Sequence, residues 1–126
     1  MRRAQRFWVL LLWVLAFVAL GFPSSVLARD SIADILTRPA AFDGREVLLQ
    51  GKATAVDPRV SRRGNEYFTF RLSDATGASL KVFSWGKPTI APGDRVEVRG
   101  RFQRERRVGR YTFTNEVEAQ QIRKLP

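Results

Sequence analysis

Apolar and polar residues alternate with a period of two through most of the chain after residue 45. This period places successive side chains on opposite faces of a β-strand. It recurs in five stretches, which predict strands at Glu46–Val56, Glu66–Ser73, Ala78–Trp85, Asp94–Phe102 and Tyr111–Ile122. In most of them one parity is apolar and the other is polar or basic, so the pattern predicts an all-β domain.

Helical spacing precedes the strands. Ile32, Ile35 and Leu36 form a short apolar stripe, and Pro39 ends it. We therefore expect about two turns of helix over residues 32–38, packed against one end of the domain.

Closure of the five strands into a barrel would leave no exposed sheet edge. Gly51 and Gly100 lie in the middle of predicted strands, where a small barrel needs sharp bends. The predicted fold class is therefore all-β, a five-stranded Greek-key OB-fold barrel with a short N-terminal helix, preceded by a signal peptide.

The first 28 residues differ in composition from the rest. Three arginines precede an apolar run of 16 residues from Phe7 to Phe22, and Val26-Leu27-Ala28 follows as a small-x-small exit, as in a secretory signal. Spanning a bilayer takes roughly 20 residues. We expect cleavage after Ala28, an OB-fold domain at residues 29–126, and a periplasmic or extracellular location. The alternative is an uncleaved segment that anchors the protein in the inner membrane.

The chain contains no cysteine and no histidine. Disulfides, thiolate metal sites and a lipid-modified cysteine are thereby excluded, and the commonest general base and metal ligand are missing. The aspartates at positions 43, 57, 74 and 94 lie at turn signals, where such side chains cap backbone groups. We expect neither catalysis nor a metal or cofactor.

The charge is strongly positive. Removal of the three arginines of the signal lowers the formal net charge of +10 to +7. Beyond Ala28 only four of the basic residues are lysines, and arginine forms bidentate contacts to phosphate and stacks on flat rings better than lysine. This charge indicates an anionic partner, although it is also compatible with a role in solubility alone.

Several stretches together resemble exported bacterial OB-fold proteins of the nucleic-acid-binding, tRNA-anticodon type. They are Val47–Val56, Tyr67–Asp74 with Gly77, Pro92–Gly100, and Glu116–Ala119 with Ile122. The resemblance covers about residues 31–124. The chain differs from OB-fold lipoproteins, because it has no cysteine to acylate, and from the haem-chaperone OB-fold of cytochrome c maturation, which uses a histidine. Haem carriage is therefore excluded.

Oligonucleotide-binding OB-folds use the outer face of strands 2 and 3 and the loops that join strands 1–2 and 4–5. Both loops, predicted at residues 57–65 and 102–109, are rich in arginine. The candidate nucleic-acid-binding residues are Arg59, Arg62, Arg63, Tyr67, Arg71, Lys81, Phe83, Trp85, Arg101, Arg104, Arg106, Arg107 and Arg110. Arginines would neutralise phosphates, and the rings would stack on bases.

The favoured hypothesis is a module that binds single-stranded or otherwise exposed nucleic acid. An envelope module that binds anionic lipid or polysaccharide, and an accessory subunit that binds another protein, are the alternatives. A membrane partner is also expected if the signal segment is retained as an anchor. Phe83 and Trp85 are equally compatible with a core position under the helix or under residues 88–92, and the loop arginines with plain solvation.

Overall fold

The computed structural model of the protein describes residues 29–126, and the predicted signal segment at residues 1–28 lies outside the described residues. The elements in chain order are α1 (Ile32–Thr37), α2 (Pro39–Phe42), β1 (Glu46–Val60), β2 (Glu66–Ser73), β3 (Ser79–Trp85), β4 (Arg95–Val108) and β5 (Tyr111–Lys124). Among these elements no helix is long and apolar enough to cross a membrane.

The five strands form one closed barrel in the order β1-β2-β3-β5-β4, with β4 pairing back to β1. All neighbouring strands are antiparallel except β3 and β5, which are parallel. Five strands closed in this non-sequential order form an OB-fold-like barrel. The predicted all-β class and the barrel closure are confirmed.

The barrel interior holds the apolar parity of each strand, as the alternation predicts. Its most deeply buried side chains are Val47, Leu49, Phe68, Phe70, Leu72, Leu80, Val82, Val96, Val98, Phe102 and Val117. Ile32 and Ile35 of α1 belong to the same cluster, so the helix covers part of this core. Burial of this apolar surface is the main term that stabilises the domain.

Gly51 and Gly100 lie where two strands approach closely. A Cβ at Gly51 would overlap the carbonyl oxygen of Ser73, and one at Gly100 would overlap that of Glu118. The barrel therefore requires glycine at both positions, because any side chain would push the paired strands apart.

The predicted helix is confirmed with a correction at its end. The Ser31 hydroxyl caps α1 by accepting a hydrogen bond from the Asp34 backbone N–H at 3.3 Å. Pro39 does end α1, but it also begins the single turn of α2. Proline suits the first position of a helix because its missing N–H has no partner there.

Two strand ends were predicted wrongly, since β1 continues to Val60 and β4 to Val108. Residues 57–60 and 103–108, assigned to loops from the sequence, therefore form strand. The connections shrink to residues 61–65 and to the turn at residues 109–110. Apolar alternation reports only the part of a strand that covers a core, so it stops where these strands leave the barrel.

Candidate nucleic-acid interface

The outer face of β2 and β3 carries the predicted binding side chains in cross-strand rows. Arg59, Tyr67 and Trp85 are register neighbours across β1, β2 and β3. Farther along β2, Arg71 pairs with Lys81. Side chains on one face of neighbouring strands lie within contact distance, so the barrel brings these five predicted residues onto one surface.

Three aromatic rings pack together on this face. The ring centroids of Tyr67 and Phe83 are 5.1 Å apart, and Trp85 meets Phe83 edge-on at 5.0 Å. Trp85 is 55% exposed, whereas Phe83 is only 7% exposed. Phe83 is thus buried on the outside of the barrel, outside the interior cluster, and Trp85 is the ring most open to a ligand.

Arg59 is held beside this cluster by a carboxylate. Its Nε donates a hydrogen bond of 2.9 Å to Asp57, and both side chains are about half exposed. This hydrogen bond and the attraction of the Asp57 charge raise the pKa of the Arg59 guanidinium. The pair fixes the guanidinium near Tyr67, but it also reduces the positive charge available to a ligand.

A shallow depression of about 430 Å³ lies next to the Arg71–Lys81 pair. It is formed where β1 bulges, because the register between β1 and β2 shifts between Thr54 and Asp57. Arg71 donates from Nε and Nη2 to the Ser79 hydroxyl, at 3.3 and 3.1 Å. No carboxylate pairs with Arg71 or Lys81 within residues 29–126.

Residues 61–65 close the β1–β2 hairpin beside Trp85. The loop is fixed by bonds from the Ser61 N–H to the Asn65 carbonyl at 2.8 Å and from the Asn65 N–H to the Ser61 hydroxyl at 3.1 Å. Arg62 and Arg63 lie at its tip, are exposed, and form no ion pair in the described part of the chain. These two cations are therefore free to meet an anion.

Arg106 lies in a different environment. Its Nη2 bonds to Glu116 at 2.9 Å, and its guanidinium carbon is 5.2 Å from the Phe83 ring centroid and 5.0 Å from that of Phe113. Glu116 is 3% exposed. A buried carboxylate needs its cation, so this ion pair joins β4 to β5. The contact of Arg106 with the Phe83 ring holds the β4–β5 hairpin against β3.

The remaining predicted arginines lie along the same hairpin. Arg107 pairs with Glu105 at 3.0 Å in an exposed contact, and the Arg104 backbone N–H donates to Asp43 at 2.9 Å. Arg101 is the register neighbour of Glu118 on the outer face. Arg110 is in the turn. These arginines are spread along β4 and the turn that follows it.

Two features of this surface were missed from the sequence. Phe113 lies 5.2 Å from the Lys81 ammonium as well as against Arg106, and Glu116 is the register neighbour of Lys81 on β5. The sequence does place Glu116 and Glu118 on one strand parity. The sequence does not reveal the strand register, which brings Glu116 into contact with Arg106.

No group of three or more carboxylates within residues 29–126 is arranged to hold a metal ion. The outer face of β2 and β3 presents aromatic rings, cations and hydrogen-bond donors.

No protein-family model matches the chain, and no curated protein matches it. Among solved structures, the chain is similar to the dimeric N-terminal domain of PriB protein from Thermoanaerobacter tencongensis, with 21% sequence identity and a TM-score of 0.49. The match covers 64% of this chain and 96% of that chain. The fold of residues 29–126 is assigned from its own strand order and pairing.

Proposed function

We propose that residues 29–126 form a module that binds single-stranded nucleic acid on the outer face of β2 and β3. The observation that carries the proposal is the exposed Trp85 ring, which lies in one row with Tyr67 and Arg59. The loop beside it carries Arg62 and Arg63, which form no ion pair within residues 29–126. Stacking on aromatic side chains together with phosphate contacts is the physical basis of binding to single strands.

Trp85 supplies the stacking surface. Its edge is fixed by Phe83 at 5.0 Å and by Tyr67 at 6.0 Å, while more than half of the side chain stays open to solvent. A ring that is already held in place loses little conformational entropy when a base stacks on it.

The charges divide around this ring. Arg62 and Arg63 lie on one side, and Arg71 and Lys81 lie along the face on the other, so a strand that crosses the rings meets cations before and after the stacked base. Arg106 neutralises Glu116, which would otherwise repel phosphate next to Lys81. We assign phosphate contact to these four cations, which have no ion pair among residues 29–126, and not to Arg106.

The test is binding of residues 29–126 to fluorescent single-stranded DNA, double-stranded DNA and heparin at two salt concentrations. This segment contains every strand of the closed barrel and the interior cluster. We expect Trp85→Ala to weaken single-strand binding about tenfold, since stacking contributes about 1–3 kcal/mol per base. Heparin has no bases, so its binding should not change.

Tyr111→Ala is the matched control, because Tyr111 is 54% exposed and lies at the start of β5, outside the face of β2 and β3. Equal binding of all three polyanions that disappears at moderate salt would reduce the site to a cationic patch. No binding at low salt would leave a protein as the partner to seek. Replacement of Arg62 and Arg63 by glutamine should also reduce the salt slope by about 0.7 for each phosphate that is no longer neutralised.

A further inference from the structure

The outer parts of β4 and β5 form a two-stranded ribbon that runs past the barrel. Pairing of β4 with β1 ends at Arg101, and pairing of β5 with β3 is confined to Glu116–Glu118. The two strands nevertheless stay paired to each other as far as Val108 and Tyr111. Residues 103–115 thus extend one hairpin beyond the closed sheet.

The end of this ribbon is apolar. Val108 is 49% exposed and Tyr111 is 54% exposed, and the two are direct register neighbours. Side chains alternate along a strand, so they continue the ribbon face on which Arg106 and Phe113 pack against the barrel. Single exposed apolar residues are ordinary, whereas an adjacent pair at a projecting tip indicates a surface that becomes covered.

Cations surround this apolar pair. Residues 103–115 contain four arginines and one carboxylate, Glu105. Arg106 is used by Glu116, and the exposed Arg107–Glu105 pair is weakly held. The Arg110 guanidinium lies 5.6 Å from the Tyr111 ring centroid and forms no ion pair within residues 29–126. The tip therefore combines a small apolar end with positive charge directly behind it.

We propose that this tip, Arg107–Tyr111, docks on the surface of a bilayer that contains anionic lipid. Val108 and the Tyr111 ring enter the interfacial region, and Arg107 and Arg110 lie at the level of the negatively charged headgroups. Tyrosine suits this boundary because its ring is apolar and its hydroxyl is polar. Arginine attracts anionic lipid, and its stem packs along apolar surface.

The same tip suits other partners less well. An aliphatic side chain such as Val108 gives a nucleobase no ring on which to stack. A protein partner would need a pocket with acidic residues placed to match the tip. An anionic bilayer needs no such match, because its surface offers negative charge and apolar depth whichever way the ribbon is rotated about its long axis. The contacts of Arg106 with Phe83 and of Phe113 with Lys81 fix the ribbon on β3, so the tip is presented with little loss of chain entropy. This proposal does not depend on nucleic-acid binding at β2 and β3.

The experiment is co-sedimentation of residues 29–126 with vesicles of phosphatidylcholine alone or with about a third phosphatidylglycerol. This segment lacks the apolar run at residues 7–22, which would bind lipid by itself. We expect binding to the anionic vesicles only. The double variant Val108→Ser/Tyr111→Ser should bind these vesicles about tenfold more weakly, because the apolar side chains that insert are gone. Val60→Ser, at a residue 64% exposed on the other hairpin, should bind as the wild type does.

A second variant, Arg107→Gln/Arg110→Gln, keeps both apolar side chains and separates charge from insertion. It should weaken binding about thirtyfold, since each of the two cations near an anionic surface contributes about 1 kcal/mol. Circular dichroism checks that each variant is folded. Wild-type binding by the serine variant, or no vesicle binding by the wild type, would overturn the proposal. So would loss of single-stranded DNA binding in the serine variant with vesicle binding unchanged.

Discussion

In both the β1–β2 hairpin and the β4–β5 hairpin, one strand approaches its partner's backbone closely at a glycine, which is Gly51 in the first and Gly100 in the second. The two strands that carry these glycines, β1 and β4, pair with each other only over Glu46–Lys52 and Arg95–Arg101, and each then continues paired to its hairpin partner alone. The β1–β2 hairpin ends in the loop of residues 61–65, whereas the β4–β5 hairpin ends in the turn at residues 109–110. Both outer segments are rich in arginine.

The arginines of the two hairpins differ in what surrounds them. Arg62 and Arg63 face solvent with no ion pair among the described residues, whereas Arg106 joins Glu116 and two aromatic rings. The same residue type is therefore exposed to solvent at one hairpin and stabilises the fold at the other. The difference comes from the nearest carboxylate. Glu116 is buried and must be paired with a cation, whereas an exposed arginine such as Arg62 needs no partner.

The largest expected effect tests whether the two hairpins are equivalent inside the barrel. Gly51→Ala and Gly100→Ala should each lower the free energy of unfolding by about 3 kcal/mol, because the new methyl group overlaps a backbone carbonyl that cannot move without opening the sheet. Urea denaturation followed by tryptophan fluorescence measures the loss.

The controls are Gly64→Ala and Gly109→Ala at the two hairpin ends. A Cβ at either position meets no atom within 4 Å, and the cost of about 1 kcal/mol comes only from the positive φ. A loss at Gly100 as small as at Gly109 would mean that β4 and β5 separate easily, and the hairpins would then differ within the barrel as well as at their ends.

Alternation predicts the barrel segments of both hairpins because each inward residue there must be apolar. Val47, Leu49, Val96 and Val98 show the period and are all buried. Past the barrel no core enforces the period, and the run Arg104-Glu105-Arg106-Arg107 resembles a solvated loop although it is strand. The strand ends were therefore unpredictable from hydrophobic pattern alone.

For the candidate site, as for the strands, the sequence predicts the face on which a residue lies but not its contacts. The outward parity of β2 and β3 correctly placed Tyr67, Lys81 and Trp85 on one face, since the period fixes parity. It could not separate exposed Trp85 from buried Phe83, because Phe83 is covered by neighbours outside its own strand. The role of Arg106 could not be predicted either. Arg106 and Glu116 are ten residues apart in sequence, and only the hairpin register brings them into contact.

The next effect separates the two classes of arginine. Arg106→Gln should lower the free energy of unfolding by about 2 kcal/mol, because Glu116 would stay buried without its cation. Arg62→Gln should change it by less than about 0.5 kcal/mol, as is usual for an exposed side chain. Thermal or urea denaturation measures both.

Arg107→Gln is the neighbouring control for Arg106, since its side chain is 78% exposed and its ion pair is at the surface. The double variant Arg106→Gln/Glu116→Gln should recover part of the missing stability, because two neutral amides leave no unpaired buried charge. Equal losses for Arg106→Gln and Arg107→Gln would show that Glu116 does not depend on Arg106, and the contrast between the hairpins would fail.

The smallest effect concerns backbone strain, which each hairpin stores at one residue. Ala55 in β1 and Asn115 in β5 both have a φ of 51°. Asparagine tolerates this left-handed region better than alanine does. Ala55→Gly should therefore raise the free energy of unfolding by about 0.5 kcal/mol, the relief of strain less the greater chain entropy of glycine. Asn115→Gly should leave the free energy of unfolding unchanged or lower it slightly. Matched urea curves resolve the difference, and a gain at Asn115 equal to that at Ala55 would show that side-chain type does not set the strain.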